Sequence, residues 1–430
     1  MAVAGDDSET NRACTIDAAT TAVRQCWSST FPDDLLADIC RMLDSPRCRA
    51  RFVAVCRSWR AAARAAPPVA LPWLLLSPWK GDSTRRLYCP EDGSVVRVRL
   101  TFKMEVVGCH DGGWVATFMP ASLKIVNALS GAKVKLGRKQ ERLVCGDHVH
   151  DSILKIYAFS EMLKIVFSET PTSPGCIVAA ILDHDSIGHC LGLCRIGCPN
   201  SGWTMHRCHG RTFMDITFCN GDLYGLAENA SEVVKFEIGV NEDGAPVVTA
   251  ERHLSIGDSI GANSSSEQNL SYIFDLHGKL AIATRAQWSL DLQPFFKVFE
   301  FVDIHDAIAN ELTAWVEVAD LGDHALFLGR TFSTAVHVPA NRRSDVERNT
   351  IYFSYHHRSY YGQYGVVDPR HVLWLATLNE NSGPGYYMEE DDRNNHIKGD
   401  EMKRIRSVGY SHFTMGNKHD GGAWVLPPDI

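Results

Sequence analysis

The sequence predicts a mostly β protein with a short α-helical unit at its front, and three observations predict it. Residues 31–65 carry apolar side chains at helical spacing. After Pro67 and Pro68 the pattern changes to short β-branched and aromatic runs separated by Gly, Asn and Asp turns. These strand clusters recur every several tens of residues, each with the content of a small antiparallel sheet, which points to radial repetition of blades around a channel. The expected architecture is a helical unit followed by a β-propeller-like domain of on the order of six or seven blades. A pair of β-sandwiches is the competing arrangement.

From the front, residues 1–26 have acidic and hydroxyl side chains where a secretory signal needs a cationic start and an apolar run, and they read as a disordered leader. The helical unit is expected over 27–66. Pro32 suits a first helical turn because its missing N–H costs little there, and Asp33 and Asp34 favour the positive end of the helix dipole. Leu35, Leu36, Ile39 and Leu43 then share a face until Asp44-Ser45-Pro46 interrupts the pattern. A second helix is expected after Pro46, with Phe52, Val55, Cys56 and Trp59 at i, i+3, i+4 and i+7. A unit this small rarely buries enough apolar surface to be stable alone, so it borrows a surface from a partner or from its own neighbour. Between Phe31 and Arg64 there are seven arginines and four aspartates, a net positive stretch in a chain of net charge −8, which favours encounter with an acidic partner.

Residues 67–430 form the expected β domain. Strand runs include "SVVRVRL", "WVATFM", "SLKIVNA", "ILKIYAF", "LKIVFSE", "DITFCNGDLYGLA", "VVKFEI", "FDLHGKLAIATRA", "FFKVFEFV", "AWVEVADL", "TIYFSYH" and "HVLWLATL". Asn220-Gly221 is a strong tight-hairpin signal, His277-Gly278 occupies the equivalent place in the next cluster, and Leu129-Ser130-Gly131 is a third echo. The charge-dense stretch Met388 to Arg406 is expected as an exposed loop.

Composition narrows the function classes. Hydrophobic residues are 45% and charged residues 22% of the 430, as in ordinary soluble globular proteins, and the net acidity argues against a globally basic nucleic-acid binder. The most apolar window, Pro67 to Trp79, is broken by prolines and is shorter than the roughly 20 residues a spanning helix needs. Fourteen cysteines in a long chain without an export signal read as reduced thiols of the cytoplasm or nucleus. Cys190, Cys194, Cys198 and Cys208, with His184, His189, His206 and His209 nearby, form the densest Cys/His stretch, but no clean Cys-x-x-Cys pair is present and small apolar strand residues explain them better than zinc. There is no Gly-x-Ser-x-Gly elbow and no phosphate-cradling loop, so neither catalytic residues nor a cofactor is expected. The stretch "YFSYHHRSYYGQYG" offers Tyr355, His357, Arg358, Tyr360 and Tyr361 as a recognition loop, since tyrosine and arginine are favoured at binding hot spots.

Two resemblances add to this reading. The order Pro32-x-x-Leu35-Leu36-x-x-Ile39, then Arg51-Phe52-x-x-Val55-Cys56-x-x-Trp59-Arg60, resembles the F-box, with Phe31 where that family usually has leucine. The segments "GGWVATFMPASLKIVNALSGAKVKL", "FMDITFCNGDLYGLAENASEVVKFEI", "SYIFDLHGKLAIATRA", "LGDHALFLG", "NTIYFSYHH" and "GGAWVLPPD" are similar to the plant F-box family whose C-terminal part is called domain of unknown function 295. The resemblance implies a noncatalytic substrate-recognition subunit of an SCF-type E3 ubiquitin ligase. Pro32, Leu35, Leu36, Ile39, Phe52, Val55, Cys56 and Trp59 would contact a Skp1-like adaptor and through it a cullin, and the β domain would hold a target protein. The alternative is a β-propeller binding protein that acts outside any ligase.

Overall fold

Short strands and tight turns dominate the chain, and the computed structural model arranges the strands in six small sheets. The structure describes residues 31–43, 46–65, 71–76, 84–89, 94–101, 105–119, 122–141, 159–184, 188–198, 202–208, 210–230, 232–256, 271–286, 295–303, 313–338, 346, 348–354, 373–376 and 423–427. The described residues fall into two units, one within Met1–Pro68 and one within Val69–Pro428.

The first unit is helical. Helix α1 (Asp33–Met42) starts behind Pro32, whose extended ψ of 140° holds it outside the helix while its carbonyl accepts the Leu36 N–H at 3.2 Å. Asp33 and Asp34 in the first turn and Arg41 in the last complement the dipole. Beyond the interruption come α2 (Pro46–Val55) and α3 (Arg57–Ala65), which corrects the expectation of one second helix. The chain breaks at Cys56, and a new helix begins as the Arg60 N–H bonds the Cys56 carbonyl at 3.1 Å. The physical reason lies in Phe52 and Trp59. In one continuous helix, residues seven apart stand roughly 10 Å apart along the axis. The break folds Trp59 back until its ring centroid is 4.4 Å from that of Phe52. Leu36, Cys40, Phe52, Ala62 and Ala63 form the centre of this unit.

The second unit is a six-bladed β-propeller. In chain order, β1 (Trp73–Leu76), β2 (Thr84–Tyr88) and β3 (Val95–Thr101) belong to blade 1 and β4 (Glu105–His110), β5 (Trp114–Met119) and β6 (Ser122–Asn127) to blade 2. After a helical turn, α4 (Arg138–Glu141), blade 3 holds β7 (Phe159–Phe167), β8 (Ile177–His184), β9 (Gly188–Arg195) and β10 (Thr204–Arg207). Blade 4 is β11 (Phe213–Cys219), β12 (Asp222–Ala227), β13 (Glu232–Val240) and β14 (Pro246–Ser255). Blade 5 is β15 (Ser271–Leu276), β16 (Lys279–Ala286), β17 (Phe295–Asp303) and β18 (Thr313–Glu317). Blade 6 is β19 (His324–Leu328), β20 (Thr334–His337), β21 (Thr350–Ser354) and β22 (Leu373–Ala376). The last strand, β23 (Ala423–Val425), returns to pair antiparallel with β1 and completes blade 1.

Burial decides between the propeller and paired sandwiches. A sandwich sheet covers one face, so its strands alternate apolar and polar. Here both faces are covered, and successive residues go to different cores. On β8, Val178, Ala180 and Leu182 face the core shared by blades 2 and 3, whereas Ala179 and Ile181 face the one shared by blades 3 and 4. On β16, Ala281 and Ala283 face blade 6, and Leu280 and Ile282 face blade 4. Among the described residues every neighbouring pair of blades shares such a core. The strands β23, β4, β7, β11, β15 and β20 follow one another around the inside of the ring.

Two inner-strand features hold neighbouring blades at short distance. A Cβ on Gly108 of β4 would lie 2.3 Å from the Ile165 carbonyl oxygen of β7, so only glycine permits the approach of blades 2 and 3. Lys164 on β7 and Asp215 on β11 are both buried and form an ion pair. Asp215 also accepts the Ile216 N–H at 2.8 Å and, from β15, the Ile273 N–H at 3.0 Å, so one carboxylate links blades 3, 4 and 5. Burial pushes its pKa up, against the pull of Lys164 and the two amides.

Blade 6 departs from the expected antiparallel pattern. β19 pairs antiparallel with β20 but parallel with β21, since it lies between them and both the end of β20 and the start of β21 fall at its first residues. The turn Asn220-Gly221, with φ of 51° and 85°, and the turn His277-Gly278, with φ of 55° and 81°, are both two-residue hairpins of the left-handed kind. Leu129-Ser130-Gly131 closes only an isolated bridge between Val126 and Lys133, its amides gathered by the Asn127 side chain. Asp215→Asn is expected to lower the free energy of unfolding by about 3–5 kcal/mol, because it leaves the Lys164 ammonium buried without its counter-charge. Urea denaturation of the two proteins measures this, and a loss below 1 kcal/mol would mean that water reaches the pair.

Candidate interaction surfaces

The helical unit presents two apolar stripes on one helix. At 3.6 residues per turn, Leu36 and Cys40 of α1 point one way, and Leu35, Ile39 and Met42 point roughly 100° away from them. The first stripe is covered, Leu36 being 1% exposed and packed with Phe52, Ala62 and Ala63. The second stands open: Leu35 is 51% and Met42 70% exposed, with Phe31 exposed just ahead of the helix. Val55, at the end of α2, is 58% exposed as well. Isolated exposed apolar residues are ordinary, but a stripe of them along one helix marks a surface for association.

The adaptor-contact residues named from the sequence therefore divide. Pro32, Leu35 and Val55 are exposed, Ile39, Cys56 and Trp59 are half-buried, and Leu36 and Phe52 lie inside the unit. Phe52, Val55, Cys56 and Trp59 do not form one stripe, because the break at Cys56 separates them. Phe31 and Met42 were missed as surface residues, although Met42 lies seven positions from Leu35 and helical spacing places them together. Five arginines of the unit are exposed: Arg41, Arg51, Arg57, Arg60 and Arg64. Arg49 is buried, with its guanidinium donating to the Leu43 carbonyl at 3.2 Å.

On the propeller, the C-terminal ends of the inner strands β11, β15 and β20 gather on one face. There the Asn220 side chain of blade 4 donates to the Gly278 carbonyl of blade 5. The neighbouring His277 ring approaches His324 of blade 6 to 4.0 Å between centroids, and His324 is 5.4 Å from His337. Sequence reasoning saw His277 only as a turn residue, since nothing in one chain pairs it with residues some fifty positions away. The recognition-loop residues Tyr355, His357, Arg358, Tyr360 and Tyr361, like the charged stretch 388–406, lie outside the described residues.

The cysteine-rich stretch is dispersed. Cys190 and Cys194 enter the core between blades 2 and 3, while Cys208 enters the one between blades 3 and 4. Strand β9 ends at Arg195, so Cys198 does not share a strand face with Cys194 and instead follows a turn at Gly197. Burial raises the thiol of Cys194, and it pushes that of Cys208 up to about 11, which leaves both protonated and poorly nucleophilic near neutrality. His206 is engaged with Glu251 at 2.5 Å. No group of His, Cys, Asp or Glu among the described residues is arranged to hold a metal ion, and no helix among them is long and apolar enough to cross a membrane.

Leu36→Ala is expected to destabilise the helical unit by about 2–5 kcal/mol. Leu35→Ser should change its stability by no more than about 0.5 kcal/mol. Amide exchange across residues 33–65 measures both, and equal losses would mean that Leu35 is covered in solution.

No curated protein matches this chain in sequence. Among solved structures, the N-terminal domain of Nup159 is similar at 11% identity and a TM-score of 0.30, covering 71% of this chain and 72% of its own. Dihydro-heme d1 dehydrogenase NirN, solved with DHE, is similar at 11% identity and a TM-score of 0.27, covering 73% of this chain and 66% of its own. Superpositions this loose carry no argument about what the chain does. The family profile described as KIB1-4 beta-propeller matches residues 81–382, more than half of the 430 and spanning strands of all six blades. By that match and by its ring of blades, the chain belongs to the KIB1-4 β-propeller family.

Proposed function

We propose that this protein is a noncatalytic substrate-recognition subunit of an SCF-type ubiquitin ligase. The propeller supports a protein-interaction role, the coarser part of this reading. The observation that carries the finer part is the exposure of Phe31, Leu35 and Met42 along α1, and of Val55 at the end of α2, in a unit whose core already covers Leu36 and Cys40. This apolar surface is left for another polypeptide. The F-box resemblance supplies the identity of the occupant, a Skp1-like adaptor and through it a cullin, and the exposed arginines of the unit suit an acidic partner by speeding encounter. The propeller then holds a target protein. Catalysis in such an assembly is positional, because a target held beside a charged E2 reacts at raised effective concentration without a reactive group on this chain. The setting would be the cytoplasm or the nucleus, where thiols stay reduced.

Replacing Leu35 and Val55 together by Asp is expected to weaken capture of a purified Skp1-like adaptor by more than about tenfold, as befits two anchors of an apolar interface. The circular dichroism and melting of the propeller should not change. Undiminished capture would overturn the adaptor assignment, and the propeller would then be read as a binding protein that works outside any ligase.

A further inference from the structure

Blades 5 and 6 meet at one face of the ring through three imidazoles in sequence. His277 sits at the tip of the β15–β16 hairpin, His324 opens β19, and His337 ends β20 as the direct cross-strand partner of His324. Their centroids stand 4.0 Å and 5.4 Å apart, with His324 in the middle. His277 is held there by backbone: its φ of 55° is the left-handed conformation of the turn, and the Gly278 N–H is fixed by the Asp275 carboxylate at 2.6 Å. His324 is equally constrained, its carbonyl accepting the Asn349 N–H at 2.8 Å. The backbone thus fixes where the three rings meet, and the contact between them responds to their charge.

We propose that His277, His324 and His337 form a proton-sensitive clamp that holds the hairpin of blade 5 on blade 6 when the rings are neutral and releases it when they become charged. A single proton is tolerated, since a protonated ring can donate to a neutral neighbour. A second proton sets two cations in contact. The carboxylates nearby already have partners: Asp323, adjacent to His324, pairs with Arg348 at 2.6 Å, Glu300 pairs with Lys279 on the hairpin, and Asp275 accepts from Gly278. Blade 4 contributes the neutral Asn220 side chain. Consistently, burial first and then the charge of His277 hold His324 below the ordinary imidazole range, with His337 acting the same way and a backbone hydrogen bond to Leu321 and the charge of Asp323 opposing. For a base lowered on folding, the sign is fixed. The separated state takes up the extra proton, so closure is strongest above the ordinary imidazole pKa of about 6.5 and weakens as the pH falls through it.

The test is amide hydrogen exchange on the full chain at pH 7.5 and pH 5.5, with rates corrected for the intrinsic effect of pH. Peptides covering residues 272–282 and 321–338 are expected to exchange faster at the lower pH after that correction. Peptides from β5 and β6 should not change. In His324→Gln, which removes the middle imidazole, the acceleration should disappear. Should that variant fold poorly, His277→Asn provides a second test, because asparagine already occupies the same turn position at Asn220 with φ of 51°. Equal acceleration in wild type and variant, or none in wild type, would overturn the clamp.

Discussion

A propeller blade has two apolar faces and covers neither by itself. Each face is covered by the next blade around, so the arrangement is stable only if the last blade meets the first. In this chain that closure rests on β23, whose three residues Ala423, Trp424 and Val425 return to β1 and are all buried. Trp424 reaches across to blade 6, where its indole N–H donates to the Leu328 carbonyl at 2.9 Å and its ring meets Phe327 edge-on at 5.1 Å. Ala423 and Val425 point the other way, into the core with blade 2. One short strand therefore joins two interblade cores, and fully burying a large apolar side chain contributes about 1.5–3 kcal/mol.

Closure of a ring also forces polar backbone and ionised groups toward its interior, where they must be paired. The Lys164 and Asp215 pair shows how this is met: a charge that would be costly alone is matched by another charge and by two amides from different blades. The benefit lies in position more than in energy. An ion pair with fixed hydrogen-bond directions sets the stagger of three inner strands, whereas apolar contacts tolerate sliding. Gly108 acts to the same end by sterics, admitting the β7 backbone where any side chain would exclude it.

The helical unit obeys a different logic. Its three helices enclose a core of only a few residues, and α1 keeps a second apolar stripe outside that core. The propeller satisfies its apolar surface internally, blade by blade, while the helical unit does not. This contrast is the physical basis for proposing association with another polypeptide at the front of the chain.

Much of this was legible in one sequence because it depends on neighbours in the chain. Helical spacing from Leu35 to Leu43, the Asn220-Gly221 and His277-Gly278 hairpins, and the recurrence of strand clusters follow from local backbone preferences and side-chain periodicity. What the tertiary structure alone decided is which distant segments share a core. The break at Cys56 answers to Phe52 meeting Trp59. The parallel pair in blade 6 answers to a crossing connection, and the dispersal of Cys190 and Cys208 into separate cores answers to the blade boundary between them. The Lys164 and Asp215 link and the contact of His277 with His324 join residues roughly fifty positions apart, whose pairing depends on blade stacking, and no local rule of spacing encodes that distance.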